Sequence, residues 1–112
     1  MDGDSYEREA EALLQAAGLS LVVRNWHCRF GEIDLIMKDG ATLVFVEVRK
    51  RGSEQFGGAI ASIGLQKQAK LRRAMEFYLS TLIRTPACRV DAVLFDGRAA
   101  GAPQWEKNIF GV

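Results

Sequence analysis

This chain of 112 residues has one histidine, two cysteines and two prolines, and each scarcity closes off some chemistry. With His27 alone, imidazole metal clusters and histidine relays are excluded; it reads as a strand-end or surface residue. Cys28 and Cys88 lack a CxxC or other ligand spacing and read as reduced packing residues rather than a disulfide. No apolar run approaches the roughly 18 residues of a membrane span, so no membrane partner is expected. The first residues, Met1-Asp2-Gly3-Asp4-Ser5, are acidic and have neither the basic nor the apolar region of a signal peptide, so cytoplasm is the expected compartment. Repeats, low-complexity tracts and linkers are absent. With 48% hydrophobic residues, residues 1–112 form one globular domain with a modest core.

Excess charge is scarce too, at a formal net of +1, but its distribution is uneven. Residues 1–48 carry 4 Lys and Arg against 9 Asp and Glu, residues 49–89 carry 9 against 2, and residues 90–112 carry 2 against 3. A solvated helix face accounts for many basic clusters of this kind. A positive surface beside a cation site also suits a phosphate polyanion.

The densest information lies in Gly31-Glu32-Ile33-Asp34-Leu35-Ile36 and Phe45-Val46-Glu47-Val48-Arg49-Lys50-Arg51. Both runs read as buried strands, in which a carboxylate is costly unless paired or ligated. Asp39-Gly40 between them is a strong hairpin signal. With those two as the loop, Asp34 faces Phe45, Glu47 is its diagonal neighbour roughly 7–8 Å away, and Arg49 shares the face. That separation suits one divalent cation held between two carboxylates. Alternatively, Asp34 is an edge residue facing water and Glu47 pairs with Arg49 along the strand. Both hairpin faces are apolar, with Ile36, Leu43 and Phe45 on one and Ile33, Leu35, Met37, Val44, Val46 and Val48 on the other. Such strands are covered on both sides, which favours the cation site.

Tyr6, Ala10, Leu13, Leu14 and Ala17 form one helical stripe, with Asp4 or Ser5 as N-cap, Gly18 as the stop and Glu7 beside the stripe. Leu19–Arg24 reads as a first strand, and residues 25–29 as its polar exit or continuation. Gly52–Gly64, with four glycines, reads as a mobile loop in which Phe56 either stacks on a base or pins the loop. A long helix follows, its buried stripe formed by Leu71, Ala74, Met75, Tyr78, Leu79 and Leu82. Lys67 extends this stripe and points toward the sheet, with Lys70, Arg72 and Arg73 on the flanks. Cys88–Phe95 is a strand, Asp96-Gly97 a turn, and Gln104–Phe110 a last strand. The order α-β-β-β-α-β-β describes an α/β mixed sheet flanked by helices.

Glu7, the GEIDLI and FVEVR runs, Phe56-Gly57, Lys67 and Arg89-Val90-Asp91 occur in the order of the bacterial YraN-type family, a group of small endonuclease-like proteins that the chain resembles over residues 3–110. That family is similar to a distant branch of the PD-(D/E)XK nuclease superfamily, near the archaeal Holliday junction resolvases. The resemblance implies a restriction-endonuclease-like fold. The superfamily's aspartate then falls on Asp34, its second acid on Glu47, its basic residue on Arg49 and its first-helix glutamate on Glu7. Two positions depart from the pattern: the superfamily's proline is Ile33, and its lysine is Arg49. Arginine stays charged and cannot act as a general base, but it can stabilise charge on a phosphate. Lys50 points to the other face, so Lys67 is the better source of an amine.

The leading expectation is therefore a Mg²⁺- or Mn²⁺-dependent nuclease cutting DNA at a branch or other distorted structure. Asp34 and Glu47 ligate the ion, helped by the Val48 carbonyl and a Glu7-held water. Arg49 stabilises developing charge, and Lys50, Arg51, Lys67 and Lys70 hold flanking phosphates. A homodimer would supply two symmetric cuts, as the resolvase likeness implies. The alternatives are a non-catalytic nucleic-acid-binding module on a nuclease-like scaffold, and an adaptor whose acidic cluster is structural. Arg89 and Asp91 either assist the site or pair with one another; the pair is the favoured reading.

Overall fold

The computed structural model describes residues 3–51, 58–96 and 103–111. Its elements run α1 (Gly3–Ala16), β1 (Ser20–Cys28), β2 (Gly31–Asp39), β3 (Thr42–Arg51), α2 (Ala59–Ser62), α3 (Leu65–Ser80), β4 (Cys88–Asp96) and β5 (Gln104–Glu106). The expected α/β order holds, with α2 as an added single turn. The strands form one sheet in the order β1-β2-β3-β4-β5. Only β3 and β4 are parallel, because α3 carries the chain back across the sheet between them. No helix among the described residues is long and apolar enough to cross a membrane.

The helical stripe of α1 buries Ala10 and Leu14 against Leu35, Met37, Val44, Val46, Val93 and Phe95 on one sheet face. On the other face, Leu71 and Ala74 of α3 pack on Ile33, Ile36, Leu43, Phe45 and Val90, with Met75, Tyr78, Leu79 and Leu82 partly buried around them. Each such large apolar side chain contributes about 1.5–3 kcal/mol when removed from water. Both cysteines are free and pack at the edge of the second cluster. Gly18 ends α1 as expected: its φ is +102°, its N–H donates to Gln15 O, and Leu19 N–H donates to Leu14 O. These are the two bonds of a Schellman cap.

The structure corrects several boundaries. Asp4 and Ser5 lie inside α1 rather than at its cap position, and the Ser5 hydroxyl accepts from Arg8 Nη2. Residues 25–28 continue β1, one of the two forms expected for them. Part of the expected loop, residues 52–57 with Phe56, lies outside the described residues, as does Gly97; residues 59–62 are helical. The last strand stops at Glu106 because Asp91 Oδ1 accepts the Asn108 N–H, drawing the chain off the ladder.

The hairpin register also differs. Asp39 pairs with Thr42 and Leu35 with Val46, so Gly40 and Ala41 form the loop. Gly40 has φ +61° and Ala41 has no positive φ, the pattern of a type II′ turn with glycine first. The two-residue shift leaves every β3 side chain on its expected face. Ile33 nevertheless joins the cluster under α3 instead of the Leu35 face. The alternation breaks opposite Asn25, which adopts φ +48° between the pairs Arg24–Leu35 and Trp26–Ile33.

Candidate functional site

The register places Asp34 directly opposite Glu47, one step beyond the last ladder pair, Leu35–Val46. The diagonal arrangement is thereby replaced by a closer one. Instead of continuing the ladder, the Val48 N–H donates to Asp34 Oδ2 at 2.8 Å, so the carboxylate occupies the point where β2 and β3 part. Gly31, which opens β2, has φ +152°, a conformation other residues rarely adopt. The nearest atoms to a Cβ there, from Lys70 of α3, would be in ordinary contact at 3.5 Å. Backbone shape rather than lack of room therefore calls for the glycine.

Glu47 is 4% exposed. Burial first, and then the neighbouring Asp34 charge, push its pKa up to about 8. Asp34 is also raised, by burial, while the Val48 N–H and a hydrogen bond with Glu47 pull it back down. The two carboxyls titrate as a coupled pair, and both hold a proton more readily than free acids do. Lys67 Nζ stands 3.8 Å from Glu47 Oε2 and favours ionisation of both acids. It projects from the first turn of α3, as the helical spacing predicts.

Arg49 shares the face of Glu47. Its Nη2 donates to the Ser62 carbonyl at 2.7 Å, and its Nε is buried with no hydrogen-bond partner among the described residues. Ser62 is buried on α2, whose first N–H, that of Ala59, donates to Glu106 Oε2 of β5 at 3.0 Å. Gln68 Nε2 donates to the Ile63 carbonyl at 2.7 Å, tying α3 to the end of α2. Sequence reasoning missed Ser62, Gln68 and Glu106 as supports of Arg49, since a four-residue helix has no periodicity to read.

The remaining candidates divide. Lys50 is exposed on the opposite face, its amine 5.9 Å from the Tyr6 ring centre. Arg51 is buried, with Asp96 at 3.4 Å and Gln104 Oε1 at 3.3 Å, so it braces β4 and β5 rather than reaching into solvent for a phosphate. Lys70 is exposed on α3. Glu7 lies on α1, which covers the other sheet face. It lines a surface cleft of about 460 Å³ with Glu11, Arg24 and Asn25, where Glu11 holds Arg24 through two hydrogen bonds of 2.6 and 2.9 Å. Among the described residues no three His, Cys, Asp or Glu side chains converge, so the acidic set is the Asp34–Glu47 pair. Arg89 and Asp91 lie on the α1 face, registered with Val44 and Val46. They form a pair at 3.0 Å, and Asp39 also contacts Arg89 at 3.0 Å.

The arrangement defines a mixed α/β domain with one buried and one half-buried carboxyl and two cations at the parting of an internal hairpin. The chain belongs to the uncharacterised protein family UPF0102, the YraN-like family, which it matches over residues 6–95. It is 53% identical over 112 residues to the UPF0102 protein of Nitrosospira multiformis, covering 100% of this chain and 94% of that one. It is 49% identical over 111 residues to a UPF0102 protein of Neisseria meningitidis, covering 97% and 94%. Identity to the Psychromonas ingrahamii member is 48% over 104 residues, covering 93% and 84%.

Proposed function

We propose that the protein is a metal-dependent nuclease that hydrolyses phosphodiester bonds in DNA, with branched or otherwise structured DNA as its substrate. The observation that carries this reading is the direct opposition of Asp34 and Glu47, with the Lys67 amine 3.8 Å from Glu47. Burial raises the pKa of both acids and the Asp34 charge raises Glu47 further, so full ionisation leaves an excess of negative charge between them. A hard divalent cation such as Mg²⁺ or Mn²⁺ relieves that excess. Two carboxylates completed by water are an ordinary donor set for it. The likeness to PD-(D/E)XK nucleases supports the same assignment.

Asp34 and Glu47 would hold the ion, which when bound makes water a stronger nucleophile and offsets phosphate charge. The Val48 N–H keeps one Asp34 oxygen fixed, so the pair needs little reorganisation. Glu47 would have to be ionised to hold the ion. Arg49, anchored through Ser62, keeps donors for a scissile phosphate and stabilises charge that develops on it. Lys67 is placed to steady the same phosphate or to donate a proton to the departing oxygen.

Calorimetric titration of Mn²⁺ into wild type and Asp34→Asn, beside a cleavage assay on a branched DNA, tests the reading. Binding and cutting lost together in Asp34→Asn and Glu47→Gln support it, and unchanged cutting by those variants rejects it. Wild-type binding of DNA without cutting under any divalent cation, with cleavage switched on by Arg49→Lys, would favour the non-catalytic module.

A further inference from the structure

Along α3, Gln66, Lys70, Arg73 and Phe77 recur at i, i+4, i+7 and i+11, which places them on one flank of the helix. This flank borders the β1–β2 turn: the nearest atom to a Cβ on Gly31 would be Lys70 Cβ, and the Phe77 ring lies 5.8 Å from Phe30 and 6.0 Å from Trp26. Arg29 sits over the outer Phe30 ring at 4.8 Å. Phe77 remains 36% exposed despite these contacts. Arg72, on the opposite flank, is committed to the Phe110 ring at 3.8 Å. Glu32, next to Gly31, pairs with His27 at 3.4 Å.

The result is a strip that begins at Lys67 beside the carboxyl pair. It passes Lys70 and Arg73 and ends on half-exposed aromatic rings about 15 Å away along the helix axis. Basic side chains leading to accessible ring faces match one class of partner: unpaired nucleotides, whose phosphates take the cations and whose bases stack on the rings. A duplex buries its base faces and can use only the cations. We infer that the flank of α3 from Lys67 to Phe77, together with Phe30 and Arg29, is a track for single-stranded nucleic acid that delivers an unpaired segment to the carboxyl pair. This deepens the nuclease reading and rests on it for the direction of the strand.

Anisotropy of a fluorescein-labelled oligothymidine, compared with a duplex of equal length, tests the track in EDTA, where no cutting occurs. Wild type binds the single strand more tightly than the duplex. Phe77→Leu, which keeps an apolar side chain but has no ring face, weakens single-strand binding by about tenfold, the effect of one lost base stack. Phe77→Tyr restores it, and duplex binding changes little in either variant. Lys70→Ala and Arg73→Ala each lower the steepness of log affinity against log salt by about 0.7. Asp34→Asn still binds, so loss of cleavage alone leaves the track standing. Equal single-strand affinity of wild type and Phe77→Leu overturns the track without touching the nuclease reading. Failure of wild type to bind the oligothymidine also overturns it. Concentration-dependent self-association abolished by Phe77→Leu, without oligonucleotide binding, reassigns the strip to a contact between copies of the chain.

Discussion

At the scale of single residues, Glu47 illustrates how a fold can hold a group in an unfavourable charge state. An unfolded glutamate releases its proton near its ordinary value of 4.5, whereas Glu47 in the metal-free fold retains it to about 8. Between those values the folded state binds more protons than the unfolded one. Metal-free protein therefore loses stability as pH rises from about 5 to about 8, and the loss levels off above that. Asp34, also raised, contributes in the same direction. Glu47→Gln removes the ionisable partner, so this variant should unfold at higher denaturant than wild type at pH 8 in EDTA. The expected difference is about 1–3 kcal/mol, shrinking toward pH 5. Urea unfolding across that range checks this; parallel pH profiles for the two proteins would refute it.

The same scale shows how much of the site was legible in advance. Asp34 and Glu47 were conspicuous because charge interrupted two apolar runs, and Lys67 because it fell on a buried helical stripe. Ser62 and Glu106 carried no such mark. Their part in holding Arg49 depends on α2 packing on β4 and meeting Glu106 of β5, and local pattern does not specify that placement.

At the scale of elements, the β4–β5 junction depends on Asp91, which is completely buried. Its carboxylate accepts from Arg89 Nε at 3.0 Å, from Trp105 Nε1 at 3.1 Å and from the Asn108 N–H at 2.9 Å. Asp91→Ala leaves the Trp105 and Asn108 donors without their acceptor and the half-buried Arg89 with Asp39 as its remaining partner, at a cost of about 2–4 kcal/mol. Thermal unfolding should show a large drop for Asp91→Ala, while Mn²⁺ binding by the folded fraction is retained because Asp91 lies on the other face. Loss of metal binding in well-folded Asp91→Ala protein would place Asp91 in the site instead. At this scale the hairpin was the instructive misreading. Asp39-Gly40 signalled a turn correctly, but Gly40 takes the first loop position, which moved the register by two. Because side chains alternate with period two, the shift kept every β3 face and changed which residues stand opposite one another; Ile33 alone changed face, where the alternation breaks opposite Asn25.

At the scale of the whole molecule, the acidic first part of the chain and the basic middle are brought together by the sheet. The hairpin contributes Asp34 and Glu47, and α3 brings Lys67 to them. Metal binding to this assembled pair should stabilise the entire fold, since the unfolded chain does not hold the two carboxylates together. At a Mn²⁺ concentration of about 100 times Kd the gain is about 2.7 kcal/mol. Calorimetric melting of wild type with and without Mn²⁺ should show it, and Asp34→Asn should not respond. An equal rise in both proteins would mean that the ion stabilises from elsewhere.

What the sequence determined by itself was the identity and periodicity of the elements: two amphipathic helices, an internal hairpin, and carboxylates where apolar residues belong. These are local consequences of the 3.6 and 2.0 repeats. The tertiary structure alone decided three things: the direct opposition of Asp34 and Glu47, the commitment of Arg51 and Asp91 to bracing β5, and the removal of Glu7 to a cleft on the α1 face. Each depends on contacts between residues far apart in the chain. A one-dimensional pattern states which face a side chain occupies, but not which partner from another element will meet it there.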